Sequence, residues 1–438
     1  MPRKEPTKLA EIGEVPAHWD VVHLSHFTSR ITYGFTNPMP TTDEGPFMLT
    51  AKDVNNGRID YENARRTSWD AYRNDLSDKS RPRVGDVLLT KDGSIGRVAL
   101  CDRPDVCINQ SVALLQPNQR IEPRFLKFLL EAPHYQQRME GDSDGTTIKH
   151  IYITRVDKMQ VAVPPLAEQK AIASVLGSLD DKIELNRRMN ATLESIARAL
   201  FQSWFVDFDP VRAKLDGRQP PGLDPATAAL FPTKFQDSAI GPIPHGWQIG
   251  KIQDCCVQIQ NGGTPRRNEP RFWDGGSVPW LASGEVRQPI ITATESFITE
   301  DGLAESSAKW VPPFSTVVAL YGATAGQVSL TSVRLTTNQA VCALTPKKTF
   351  AFFNYLTMRL ATTELESKAV GSAQQNISKA IVEETRVILP TTALIEQFAE
   401  LAGPLFEQWI SNLHQSRTLA TLRDTLLPKL LSGELAVN

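Results

Sequence analysis

The segment PPLAEQKAIASVLGSLDDKIELNRRMNATLESIARALFQSWF, residues 164–205, contains one glycine and no proline after its first two residues. A line of mostly apolar residues recurs along it at every seventh position: Ile172, Leu179, Asn186, Leu193 and Leu200. Leu176 and Ile183 stand four residues after members of this line. Such an a/d seam is the pattern of a helix that lies along a partner helix. We therefore expect one long helix here and a partner for it elsewhere in the chain.

A second line of the same spacing lies 226 residues further on, with asparagine again at its middle step: Phe398, Leu405, Asn412, Leu419 and Leu426. Two matching seams in one chain predict that the two helices pair with each other. A polar residue at an a position costs stability and fixes register, so we expect Asn186 and Asn412 to lie near the midpoint of the pair. Gly403-Pro404 interrupts the second pattern, which leaves open a kink there or a helix that begins at Pro404.

The rest of the chain is an internal duplication. Three pairs of segments match in the same order at offsets of 228 to 230 residues: Ile12–Trp19 with Ile240–Trp247, the strand–turn–strand pattern of 85–100 with 315–330, and Asn109-Gln110 with Asn338-Gln339 before an apolar strand. Ordered matches at nearly one offset are the signature of a repeated structural unit. Strands and short helices alternate in each copy, which predicts an α/β (α+β) domain.

The order of these elements predicts six segments. They are a first globular domain at 1–163, a spacer helix at 164–206, a proline-rich connecting segment at 207–238, a second domain at 239–389, a second spacer helix at 390–431 and a tail at 432–438.

Composition narrows the class of protein. Hydrophobic residues make up 41% of the chain and charged residues 22%, as in an ordinary soluble protein. No apolar run approaches the roughly 20 residues of a membrane span and the amino terminus lacks a signal-peptide core, so we expect no membrane contact and a cytoplasmic protein. The five cysteines form no CxxC pair, which favours reduced thiols over a metal site.

Catalytic patterns are weak in this sequence. Val311-Pro-Pro-Phe314 echoes part of an amino-methyltransferase motif, but valine stands where the motif needs Asn or Asp. No glycine-rich cofactor loop follows an early strand. We therefore expect a non-catalytic chain that binds no cofactor itself.

Two sequence motifs carry a resemblance to a known family. PPLAEQK at 164–170 with DDKIELNRRMN at 180–190, and LRDTLLPKLLSGE at 422–434, resemble the helical regions of the DNA-specificity subunit of type I restriction-modification enzymes. The resemblance covers nearly the whole chain. It implies two target-recognition domains that each read half of a bipartite site in double-stranded DNA, and two antiparallel coiled-coil helices that fix the spacing of the half-sites.

The same resemblance implies the partners. Two methyltransferase subunits, which bind S-adenosylmethionine and methylate adenine, would dock on the helices, and translocating restriction subunits would cut unmethylated DNA. An alternative class remains open, a coiled-coil scaffold that presents two modules to protein partners without binding DNA. The formal net charge of −2 favours that alternative, since any nucleic-acid surface must come from local clustering.

Polar turns and loops supply the candidate DNA contacts. In the first domain they are Lys91, Ser94, Arg97, Thr146, Thr147, Lys149 and His150. In the second domain they are Arg266, Arg267, Asn268, Thr324, Gln374, Gln375 and Asn376. Cationic and hydroxyl groups hold phosphates, arginine reads guanine, and Asn or Gln amides pair with adenine. The alternative for each residue is an ordinary solvated turn.

The repeated Asn109-Gln110 and Asn338-Gln339 pose a separate question. A residue that is shared by domains with different targets does not select a base sequence. We therefore favour a structural role for these amides at strand ends, and a phosphate contact is the alternative.

Overall fold

A computed structural model describes residues 6–144, 149–369 and 376–437. The chain divides into two compact units, which we call unit one (residues 1–184 and 417–438) and unit two (residues 185–416). Each unit holds one copy of the repeated domain and part of each long helix.

In unit one, the repeated domain is built on two small sheets. The first contains, in spatial order, antiparallel strands Val98–Leu100, Val87–Thr90, Val112–Pro117 and Thr28–Tyr33. The second contains Val106–Ile108, Thr42–Leu49 and Arg65–Arg66. Shorter pairs are Thr7–Ala10 with Gly13–Pro16, Asp20–His23 with Gln160–Val163, and Val54–Asn55 with Arg58–Ile59. The helices are Trp69–Asn74, Pro123–Glu131, Pro133–Gly141 and Ile153–Asp157.

Unit two repeats this order. Its first sheet contains Cys256–Asn261, Val341–Pro346, Thr316–Ala319, Val328–Thr331 and Ile290–Ile291. Its second contains Ser296–Ile298, Val278–Leu281, Leu335–Thr337 and Trp310–Val311. Gln248–Lys251 pairs with Arg386–Leu389, and Phe235–Gln236 with Ile243–Pro244. The helices are Glu300–Ala304, Ala351–Leu360, Thr362–Ala369 and Lys379–Glu383. The corresponding strands and helices confirm the duplicated α/β domain that the sequence predicts.

The segment that joins the first long helix to the second domain packs against the core of unit two. It forms helices Asp209–Leu215 and Pro225–Ala229. Phe208, Val211 and Phe231 from this segment are buried with the second domain's apolar residues. Although this segment is rich in proline, burial of its apolar side chains holds it against the second domain.

The long helices run Leu166–Phe205 and Thr392–Leu431, 40 residues each. The interpretation in which the second helix begins at Pro404 is therefore wrong. The turns before it are held by packing, since Leu394 and Phe398 are fully buried. Pro404 deprives the carbonyl of Glu400 of its helical partner, and both residues are exposed. Among the described residues, no helix is long and apolar enough to cross a membrane.

The helices pair with each other within each unit. In unit one, Leu176 near the start of the first helix shares a buried cluster with Leu427 and Leu430 near the end of the second. In unit two the order is reversed, and the Phe201 and Phe398 ring centroids lie 6.1 Å apart. The helices therefore run antiparallel in both units.

The twelve residues predicted to line the contact between the two helices differ in how deeply they are buried. Ile172, Leu176, Asn186, Phe398 and Asn412 are buried. The others are half-buried: Leu179, Ile183, Leu193, Leu200, Leu405, Leu419 and Leu426. All twelve residues are thus at least partly buried.

The two asparagines meet across the helices of unit two. The Asn186 Nδ2 donates to Gln415 Oε1 at 2.9 Å and to the Asn412 carbonyl at 3.4 Å. The Asn412 Nδ2 donates to Asn190 Oδ1 at 2.9 Å. Because unpaired buried amides are costly, these bonds favour the register in which they form.

Equivalent positions of the two units carry different chemistry. In unit one, Asp180 of the first helix accepts from Arg423 of the second at 2.8 Å and from the domain's Lys127 at 2.8 Å. The residues 226 positions away from Asp180 and Arg423 are Phe406 and Ala197, both buried in unit two. There the Phe406 ring stacks on the domain's Phe352 at 4.5 Å. An ionic contact in one repeat thus replaces an aromatic contact in the other.

At a second position, a hydrogen-bonding residue of unit one is replaced by an apolar residue in unit two. The buried Trp19 indole N–H donates to Glu168 Oε1 at 3.2 Å in the first turn of the first helix. The residue 226 positions after Glu168 is the buried Leu394. Accordingly, the indole nitrogen of Trp247 has no hydrogen-bond partner among the described residues.

We predict that Asp180→Asn loosens the attachment of the first domain to the helices. Removing one member of a buried ion pair costs about 3–5 kcal/mol, and partial exposure of the Asp180 side chain, 23%, reduces this to about 2 kcal/mol. Hydrogen exchange of the full-length protein should rise in peptides covering 123–131 and 176–184. Although burial opposes it, attraction by Lys127 and Arg423 lowers the pKa of Asp180. Its contribution should therefore be present above pH 3.8 and be lost as the pH falls through the lowered folded pKa.

Glu194→Gln in unit two is the matched control. Its partner Arg359 lies 3.8 Å away, and both side chains are exposed to about the same extent as those of Asp180 and Arg423. A single long pair of this kind contributes at most about 1 kcal/mol, so exchange should change little. Equal effects of the two substitutions would contradict the ionic attachment.

Candidate nucleic-acid interface

In the first domain, two candidate segments that are distant in sequence lie side by side. The turn after strand Val87–Thr90 is hydrogen-bonded to the chain at 149–151. The Ile151 N–H donates to the Lys91 carbonyl at 3.0 Å, and the Gly93 N–H donates to the Lys149 carbonyl at 2.9 Å. Asp92 forms a backbone bridge with His150. The two segments therefore form one surface, which we call the first turn–loop surface.

The second domain has the same arrangement. Tyr321, at the start of the corresponding turn, forms a backbone bridge with Asn376, and the Ile377 N–H donates to the Leu320 carbonyl at 2.8 Å. We call the turn 321–327 with Asn376 the second turn–loop surface. The repeat thus preserves this contact between turn and loop.

A side chain from the neighbouring helical segment anchors each turn. In the first domain the Gln136 Nε2 donates to the Gly96 carbonyl at 2.7 Å, and in the second the Gln327 Nε2 donates to Glu366 Oε1 at 2.6 Å. Gly96 and Gly326 have φ of 83° and 89°, a region that favours glycine. A Cβ at Gly326 would lie 2.8 Å from Glu366. The glycines therefore allow both the turn and its anchor.

Lys91 and His150 are engaged with one carboxylate. The buried Lys91 Nζ donates to Asp92 Oδ2 at 3.0 Å and lies 5.2 Å from the centre of the Tyr33 ring. His150 Nδ1 also hydrogen-bonds to Asp92. Because both side chains are already bonded to Asp92, they have less capacity for phosphate than their sequence suggests.

The other predicted residues of this surface are more accessible. Ser94 and Arg97 are exposed, and the Arg97 guanidinium donates to Asn55 Oδ1. Lys149 pairs with Glu140 at 2.6 Å, with about half of its side chain exposed. Exposed pairs of this kind contribute little, so Lys149 can exchange its partner for a phosphate.

In the second domain, Arg267 lies over the rings of two tryptophans that contact each other. Its guanidinium carbon lies 4.3 Å from the centre of the Trp273 ring and 4.8 Å from that of Trp280. Both indoles are fixed, because Trp273 donates to the Arg266 carbonyl at 3.1 Å and Trp280 to the Gly263 carbonyl at 2.9 Å. Arg267 remains exposed. Stacking orients the guanidinium without consuming its hydrogen-bond donors.

The remaining predicted residues of the second domain differ in availability. Arg266, Asn268 and Asn376 are exposed. Thr324 is buried, and its hydroxyl donates to the Ser283 carbonyl at 3.1 Å. Four predicted residues lie outside the described residues: Thr146, Thr147, Gln374 and Gln375.

Sequence reasoning missed a group of cations over exposed aromatic rings. Lys79 lies 5.7 Å from the centre of the Tyr33 ring, on which Lys91 also lies. Arg73 lies 5.4 Å from Trp69, which is 47% exposed. Such pairs suit contacts to phosphates and bases. The i, i+4 spacing of Trp69 and Arg73 on one helix was an available signal, whereas Tyr33 and Lys79 meet only in the fold.

Comparison with known proteins follows the same two repeats. The family model for the type I restriction modification DNA specificity domain matches residues 40–195 and again residues 244–397. The two matches therefore fall on the two copies, and each continues into a long helix.

Relatives of similar length share this organisation. The chain is 30% identical over 408 residues to the HindI specificity subunit of Haemophilus influenzae, covering 82% of this chain and 88% of that protein. It is 25% identical over 441 residues to the MjaIX specificity subunit of Methanocaldococcus jannaschii, covering 98% and 96%. The scaffold alternative finds no support in these similarities.

A solved structure shares the fold. The S subunit of a type I restriction-modification system from M. genitalium has a TM-score of 0.57 with this chain at 16% identity, covering 94% of this chain and 96% of that one. The doubly matched family model and the relative from Haemophilus influenzae show that the chain belongs to the family of type I restriction-modification DNA specificity subunits.

Proposed function

We propose that this chain is the sequence-reading subunit of a type I restriction-modification complex, and that each of its domains reads one half of a bipartite site in double-stranded DNA. One observation carries the proposal. The contact between turn and loop recurs in both domains, at Asp92 with His150 and at Tyr321 with Asn376, while the side chains it presents differ. A common scaffold with different exposed groups suits two different half-sites.

The exposed groups suggest how each half-site is read. Arg267, oriented by its two tryptophans, can form the bidentate pair with guanine, and the amides of Asn268 and Asn376 can pair with adenine. In the first domain, Arg97 and Lys149 are the accessible cations. Ser94 can donate to a phosphate.

The helix pair supplies the spacing in this proposal. The buried asparagines favour one register, and half-site spacing mirrors protein geometry in proteins that read two stretches of duplex. A fixed register would therefore admit one length of unread spacer between the half-sites.

Chemistry would reside in the partners. We infer that the chain is itself non-catalytic and directs two methyltransferase subunits, which carry S-adenosylmethionine and methylate adenine, and restriction subunits that translocate and cut. The names of the relatives as specificity subunits support this assignment. The complex would act in the cytoplasm, where its DNA substrate lies.

Methylome sequencing tests the proposal as a whole. Cells that carry this chain and its methyltransferase subunit should show a split adenine-methylation motif that disappears when this chain is deleted. The proposal is wrong if methylation is absent with both present, or if the motif is continuous.

Arg267→Lys should relax base preference in one half-site. Lysine keeps the charge but loses the planar pair of donors, so discrimination at one base pair should fall by about 1–3 kcal/mol. The measurement is binding of the purified methyltransferase complex to duplexes with single base-pair replacements.

Arg271→Lys is the control for this change. Arg271 already donates two bonds of 2.7 Å to Glu305, so its substitution should leave base preference unchanged. An equal loss on every duplex after Arg267→Lys would instead make Arg267 a phosphate contact.

Replacing both Asn186 and Asn412 with leucine should raise the melting temperature and loosen spacing. The Asn186 Oδ1 is buried without a partner among the described residues, and apolar substitution at such seams stabilises while removing register information. Binding to duplexes with lengthened or shortened spacers measures the second effect. Leu179→Met on the same seam is the volume-conserving control. Unchanged spacer discrimination in the double variant would refute the role of the asparagines.

A further inference from the structure

The repeated Asn-Gln pair lies beside a point where two backbones touch. At Gly34, a Cβ would stand 1.7 Å from the carbonyl oxygen of Ile108, and at Gly262 it would stand 1.9 Å from that of Thr337. No other residue fits at either place without movement of the backbone. The Asn-Gln pair follows directly after each of these carbonyl-bearing residues, so both copies hold the pair in the same setting.

The two residues of the pair have different roles in this setting. The Asn109 Oδ1 accepts from the Ser111 N–H at 3.0 Å, and the Asn338 Oδ1 accepts from the Ala340 N–H at 3.1 Å. Each asparagine thus closes a local turn before the next strand. The structural role expected for the pair applies to its asparagines.

The glutamines are held by their backbone or a neighbour and remain exposed. The Gln110 N–H donates to the Phe35 carbonyl at 2.8 Å, and its side chain is exposed. The exposed Gln339 accepts at Oε1 from the Thr264 hydroxyl. This bond uses one of the two lone pairs of the oxygen and leaves both N–H groups of the amide as donors.

Cationic residues occur near the Asn-Gln pair of each domain. Thr264 is followed after one proline by Arg266 and Arg267. In the first domain, Asn109 lines a cavity of about 500 Å³ together with Lys52 and Arg65. Asp53 lines the same cavity. Cations thus accompany the asparagine of the first pair and the partner of the glutamine of the second, where a DNA backbone could use them.

The residues that follow the two glycines in sequence change between the repeats while the glutamines do not. Arg266 and Arg267 correspond, at the repeat offset of 228, to Pro38 and Met39. The part of a duplex that does not change with sequence is its phosphate backbone. We propose that Gln110 and Gln339 each donate an amide N–H to a phosphate oxygen, one in each half-site, as positioning residues that carry no base information. This inference rests on the proposed reading of two half-sites.

Substitutions at Gln110 test the proposal in the full-length chain bound to its methyltransferase subunits. One probe is a duplex that contains the motif identified by methylome sequencing. The others are duplexes that each replace a single base pair of its first half-site. Gln110→Ala should weaken binding by about fivefold on all of them alike, the value of one hydrogen bond. Gln110→Glu should weaken it further, since a carboxylate repels phosphate. Gln110→Lys should restore affinity and steepen the dependence of log Kd on log salt by about 0.9.

Two controls separate contact from folding. Gln339→Ala should give the same uniform loss on replacements in the second half-site. Asn109→Ala should lower the melting temperature, because it removes the turn, whereas Gln110→Ala should leave it unchanged.

The outcomes are distinguishable. Unchanged affinity of Gln110→Ala, with wild-type binding intact, overturns the phosphate contact. Altered preference at a single base pair overturns it as well, by making Gln110 a base reader. Failure of the wild-type complex to bind its motif would instead refute the proposed function.

Discussion

The buried amide contact between the two long helices is the constraint on which the rest of the structure depends. Asn186 donates to Gln415 at 2.9 Å and to Ser416 at 3.2 Å, and Asn412 donates to Asn190 at 2.9 Å. If one helix slipped by seven residues along the other, each asparagine would face a leucine of the partner seam. Its amide would then be left unpaired, at a cost of about 1–3 kcal/mol for each buried group. Each domain is continuous with a helix, so this register also decides which helix residues each domain meets.

Around this shared seam the two repeats have diverged in chemistry. Unit one joins domain to helix with charged hydrogen bonds, through Lys127 and Asp180, and unit two uses stacked rings, through Phe352 and Phe406. The turn–loop surfaces have diverged likewise while keeping the backbone contact between turn and loop. Duplication thus preserved the framework of glycines, Asn-Gln pairs and strand order, and changed most of the other exposed groups. This is the pattern expected of one scaffold that serves two different half-sites.

The sequence predicts the framework well because its signals are local. Seven-residue spacing along the helices and turn residues at one offset depend only on neighbouring positions. Whether a site residue is free to contact DNA does not follow from such local signals, since it depends on the partners that the fold brings to that residue. Lys91 is buried against Tyr33, a strand residue far from it in sequence, and Arg267 gains its orientation from Trp280 in the same way. The continuity of the second helix through Pro404 was unpredictable for the same reason, because buried Phe398 holds the preceding turns.

The central claim is that each domain reads its own half-site and the helices set the distance between them. The most direct test is methylome sequencing of cells that carry a chimaera in which residues 239–389 are exchanged for the corresponding segment of a relative. The account predicts that one half of the methylated motif changes while the other half and the spacer length persist. A motif in which both halves or the spacer change would contradict it.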